Sequence, residues 1–108
     1  MREFTRANQL LLEQRELAGD LLQEPHEIHH FCYFSDRMKS TAAEAAFHVA
    51  GFETQAIHRP LKSQIIVTHS SKIDQVTLDY VCEEISLITE RYQGEYAGWD
   101  APIIRIAS

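Results

Sequence analysis

Glu27-Ile-His-His-Phe-Cys-Tyr-Phe34 is the stretch on which the fold turns. Ile28, His30, Cys32 and Phe34 fall on one side of a chain with a period of two, and His29, Phe31 and Tyr33 fall on the other. Both sides carry bulk, which predicts an interior strand rather than an edge. Glu24-Pro25 stands just before it and stops any preceding helix, because the residue before proline disfavours the α region.

Upstream, Arg2 to Gln23 has helical spacing. Phe4, Ala7, Leu11, Ala18 and Leu22 form one apolar stripe, Leu10, Leu17 and Leu21 a second, and Gly19 marks an early end. Downstream, Ser35 or Asp36 can cap a helix over Arg37 to Ala50, with Met38, Ala42, Ala45, Ala46 and Val49 as its buried stripe. Gly51 suits the left-handed residue that closes such a helix. Glu53 to Arg59 and Gln64 to His69 read as strands joined in a hairpin by Pro60-Leu61-Lys62. Ser70 or Ser71 can cap a long helix over Lys72 to Tyr92, ended by Gly94, whose apolar face is Ile73, Val76, Tyr80, Val81, Ile85, Leu87 and Ile88. Glu95 to Ile106 reads as a last strand interrupted at Gly98 or Pro102.

After the first helix the order is βαββαβ. It predicts an α+β, ferredoxin-like sandwich, a four-stranded antiparallel sheet with two helices on one face. The chain then forms one domain, residues 1–108, with an N-terminal helix (1–24) and a ferredoxin-like core (26–107). The extra helix has the length and polarity to cover part of the open face of the sheet, or to meet a partner chain.

Length and composition agree: 108 residues, 44% apolar and 24% charged, suit one globular domain with a real core. Ten Lys and Arg stand against sixteen Asp and Glu, a formal charge of −6. That balance disfavours direct binding to nucleic acid, whose phosphates reward basic surfaces. Cys32 and Cys82 form no CxxC pair and read as free thiols. The first twenty residues lack the apolar core of a signal peptide, and no stretch is long enough to span a membrane, so a cytoplasmic protein is expected.

Candidate chemistry is sparse. His30 and Cys32 share a strand side, and His69 would join them if the first and third strands pair, an N/N/S set. None of the usual local ligand spacings accompanies it, so neither a metal nor a cofactor is expected. Cys32 and Cys82 show no activating setting. Glu95 and Asp100 flank Tyr96 to Trp99 and could line a shallow pocket, though a solvated acidic surface is the preferred reading. Phe31 and Tyr33 could serve as a base-stacking platform, but no Lys or Arg lies between Glu27 and Phe34, and core packing accounts for them. No catalytic residue is expected.

Two segments carry a resemblance. Asn8-Gln-Leu-Leu-Leu-Glu-Gln-Arg15 precedes a break and the strand-opening Ile28-His-His30, and Glu95-Tyr-Ala-Gly-Trp99 follows the last helix. In this order and at these distances they resemble the regulator of ribonuclease activity B family, protein inhibitors of ribonuclease E. Ala97 stands where the family's closing motif usually has aspartate. The resemblance implies a ferredoxin-like, non-enzymatic protein that binds ribonuclease E through its scaffold region rather than through RNA and modulates RNA degradation. A monomer or weak homodimer without membrane contact is expected. The residues the resemblance singles out for partner binding are Glu95, Tyr96, Gly98, Trp99 and Asp100, with His29 and His30. Trp99 has two readings, a plug beneath the last strand or an exposed anchor rimmed by Glu95 and Asp100. The alternative is a small ferredoxin-like ligand- or metal-binding domain that uses the histidine-bearing sheet face.

Overall fold

A computed structural model of the chain describes residues 4–105. Its elements are α1 (Thr5–Leu17), β1 (His26–Phe34), α2 (Arg37–Val49), β2 (Glu53–Arg59), β3 (Lys62–Ser71), α3 (Gln75–Arg91) and β4 (Glu95–Asp100). This is an α+β fold of three helices and one four-stranded antiparallel sheet, ordered β2-β3-β1-β4. β1 is interior, as its two bulky sides predict. It pairs with β3 along its whole length, and with β4 on the other edge. The hairpin of β2 and β3 closes through Pro60-Leu61.

One face of the sheet is covered by helices. Cys32 and Phe34 of β1, Ile65 and Val67 of β3, Ala43 and Phe47 of α2, and Ile85 and Ile88 of α3 form the main core. A second cluster of Ile28, Ile73, Leu78 and Ala101 lies beside it, with Leu12, Leu22 and Trp99 packed against it.

Asp36 caps α2, its carboxylate accepting from the backbone of Met38 and Lys39 at 2.8 and 3.2 Å. Asp74, not Ser70 or Ser71, caps α3. β3 runs on through both serines, so the helix starts later than expected. Gly94 follows α3 for a steric reason. A Cβ there would lie 2.4 Å from the Phe34 ring and 2.8 Å from the Tyr33 carbonyl oxygen.

Three helix faces differ from the periodicity. α1 ends at Leu17 and the chain turns at Gly19 (φ +84°), so Leu21 and Leu22 are not helical. Its buried residue is Asn8, while Leu10, Leu11 and Leu17 are exposed. α1 packs along α3 on the helical side and leaves the open face of the sheet uncovered. In α2 the buried residues are Ser40, Ala43 and Phe47, with Met38 and Val49 exposed. Three further alanines make α2 weakly apolar on several sides, so the one large buried side chain, Phe47, sets its rotation. In α3, Leu78, Cys82, Ile85 and Ile88 point inward and Val76, Tyr80 and Leu87 outward. Beyond Asp100 the chain leaves the sheet. Ile103 and Ile104 are not strand, and the Ile104 carbonyl accepts from the Leu21 N–H at 2.7 Å. Arg2, Glu3 and Ile106, placed in elements by the pattern, lie outside the described residues.

Candidate functional site

The closing motif is built on a bulge. His30 pairs with Trp99 and Cys32 with Tyr96, so Ala97 and Gly98 together stand opposite Phe31. Gly98 takes φ +112°, a conformation that side chains with a Cβ rarely adopt. An unbroken strand would put residues three apart on opposite faces. The extra residue instead turns Tyr96 and Trp99 both to the helix side.

There they close a polar chain through the interior. Trp99 Nε1 donates to Asn8 Oδ1 at 2.9 Å, and Asn8 Nδ2 donates to Asp79 Oδ1 at 2.9 Å. Thr5 and Gln75 also donate to the Asp79 carboxylate. Tyr96 donates to Cys82 Sγ at 3.4 Å, and its oxygen lies 2.8 Å from His30 Nδ1. His30 Nε2 lies 3.0 Å from His69 Nε2. Burial, reinforced by the His69 and His29 rings, pushes the His30 pKa down to about 3, so this imidazole is neutral. Burial lowers His69 too. A neutral His30 that donates to Tyr96 from Nδ1 accepts from His69 at Nε2. Outside this chain, Arg15 sits over the Trp99 ring at 5.3 Å and also pairs with buried Asp20, which His26 contacts at 2.7 Å. α1 is thus held to β4 and α3 chiefly by hydrogen bonds.

This interior lacks the parts of a nucleophilic centre. Burial raises the Cys32 thiol to about 11 against a hydrogen bond from Thr89, and it raises Cys82 and Tyr96 as well, so all three are protonated near neutrality. β1–β3 pairing does bring His69 to His30. Cys32, however, is engaged by Thr89, and no group of three or more metal-ligating side chains forms among the described residues.

The opposite face of the sheet is uncovered, and its register is a grid. One row across it reads Glu53, Thr68, His29, Asp100. The next reads Gln55, Ile66, Phe31 and the bulge, and then Ile57, Gln64, Tyr33, Glu95. Glu27 extends the first end, and Arg59 and Lys62 form the other. Phe31 and Tyr33 are therefore half-buried surface residues and not core. Lys62 Nζ lies over the Tyr33 ring at 4.2 Å, and His29 reaches Thr68 Oγ1 at 3.0 Å. The seven partner-binding candidates divide between the faces. Glu95, Asp100 and His29 lie on the open face, whereas His30 is fully buried and Tyr96 and Trp99 are half-buried beneath the sheet. Glu95 and Asp100 sit at opposite ends of β4 and share no pocket.

The profile of the family described as regulator of ribonuclease activity B matches residues 5–101. This chain belongs to that family. No curated protein matches it. Its membership of the regulator of ribonuclease activity B family makes it a relative of regulators of ribonuclease activity. The matched span runs from the start of α1 to the residue after β4, so it includes both α1 and the bulge that orients Trp99. Among the described residues no helix is long and apolar enough to cross a membrane. Sequence reasoning missed Asn8 and Asp79, the residues that tie α1 down. A polar pair inside two apolar stripes was their only local signal.

Proposed function

We propose that this chain is a non-catalytic, cytoplasmic regulator that binds ribonuclease E and inhibits its endonucleolytic cleavage, modulating RNA degradation. The family match over residues 5–101 carries this reading. Two features of the molecule support it. His30, the two thiols and Tyr96 are held in uncharged forms by burial, which suits packing better than catalysis. An uncovered sheet face with an acidic end suits a basic protein partner, because complementary charge speeds and orients association. We take the fold to be ferredoxin-like in one domain, a reading supported by β1 lying between β3 and β4 with α2 and α3 on one face. Glu95, Asp100 and His29 would meet the partner directly. His30, Tyr96, Gly98 and Trp99 would act from beneath by fixing β4 and α1. The regulator would work as a monomer or weak homodimer, without cofactor, membrane or direct RNA contact.

The test is cleavage of a labelled RNA by purified ribonuclease E with this protein titrated in, using full-length enzyme beside enzyme lacking its C-terminal scaffold half. Slower cleavage with the full-length enzyme alone is the expected result. No effect on either enzyme, with the protein shown folded, would remove the reading.

A further inference from the structure

Glu27, His29, Phe31, Glu53, Gln55 and Ile66, with Thr54 and Thr68, line a shallow hollow of about 450 Å³ on the open sheet face. Its floor is the half-buried Phe31 ring and the Ile66 and Thr68 side chains, and carboxylates of two different strands stand at its edge. Glu27 and Glu53 are both solvent-exposed. No Lys or Arg lines it, and the cations of this face, Arg59 and Lys62, stand at the far end. Asp100 stands beside His29 in the same row, its carboxylate 3.8 Å from Arg15.

Resting on the regulatory reading above, we propose that this hollow docks an arginine-bearing basic segment of the partner protein, its guanidinium groups meeting the Phe31 ring and the Glu27 and Glu53 carboxylates. The chemistry selects arginine over lysine. A guanidinium is planar, weakly hydrated, stacks on aromatic rings and pairs with carboxylates through two parallel hydrogen bonds. An ammonium is a compact, strongly hydrated point charge that gains little from a ring floor. An apolar floor with acidic walls also rejects an acidic or phosphate-bearing ligand by like charge. The bulge opposite Phe31 bends the β4 edge, leaving β2 as the regular edge beside the hollow.

The probe is the peptide (Arg-Gly-Gly)3 titrated into the 15N-labelled full chain at low salt, with (Lys-Gly-Gly)3 beside it. Amide shifts should cluster at residues 27–31, 53–55 and 66–68, the lysine peptide should bind more weakly, and added salt should weaken both. E27Q/E53Q should bind the arginine peptide at least about fivefold more weakly with unchanged melting. Phe31→Leu, which keeps an apolar floor and removes the ring, should lose about threefold or more. Shifts confined to the groove that Ala42 and Ala46 of α2 form with Glu84 and Leu87 of α3, equal affinity of E27Q/E53Q, or no binding would overturn the proposal. So would shifts at the same residues on concentrating the protein alone, since a second copy would then be the occupant. The enzyme assay fails separately. Peptide docking without any effect on ribonuclease E would keep the site and remove the partner, and inhibition without peptide docking would do the reverse.

Discussion

His29 and His30 are neighbours in sequence and opposites in setting. His30 is sealed between Tyr96 and His69 under the helices, while His29 looks out across the open sheet beside Glu27, its Nε2 3.9 Å from a Glu27 oxygen. The same alternation divides the whole of β1. Cys32 and Phe34 anchor the main core, whereas Phe31 and Tyr33 stand half-exposed on the open face, where Lys62 lies over the Tyr33 ring. A strand interior to a sheet thus presents two settings at once, a packed core on one face and a half-exposed row of side chains on the other.

The sharpest way to break the comparison is to attack the inner face. Phe47→Ala removes a fully buried ring from the main core and should cost about 3–5 kcal/mol in chemical denaturation. Acid should act on the same face. His30 is held neutral in the fold, with a pKa of about 3, but takes up a proton near pH 6.5 when unfolded. The unfolded state therefore binds more protons between those values. Stability should be full above about pH 6.5 and should drain away as pH falls toward about 3. Denaturation measured through that window should flatten in His30→Phe, which has nothing to titrate there.

Trp99→Ala should cost about 3 kcal/mol, the low end for a buried aromatic, because the ring is half-exposed yet also loses its bond to Asn8. A variant that melts like the parent while losing partner binding would instead make Trp99 an anchor. Gly98→Ala meets no atom within 4 Å, so its cost is backbone strain alone, about 1–2 kcal/mol. On the open face the expected change is smallest. Glu27→Gln and Glu53→Gln should leave unfolding within about 0.5 kcal/mol of the parent.

The sheet was legible because its strands announce themselves locally: two-sided bulk in β1, β-branched Ile65-Ile-Val-Thr68 in β3, and a proline turn between β2 and β3. The helix faces were less so. α2 is alanine-rich all round and α3 is apolar on more than one side, so spacing alone could not choose between Val76 and Leu78 or between Val49 and Phe47. The polar chain was the least legible. Its links, Asn8 to Trp99 and Asn8 to Asp79, join residues 91 and 71 positions apart, and only the fold makes them neighbours. The bulge was half-visible in Gly98. That it would turn both aromatics of the closing motif inward required the register with β1.

Contact of the uncovered face, and of its acidic end above all, with the ribonuclease is the proposal to test. Wild type and E27Q/E53Q should be titrated in parallel into full-length ribonuclease E cutting a labelled RNA. The parent should slow cleavage, and the equally folded variant should fail to do so at the same concentration. Equal slowing by the two proteins would contradict it.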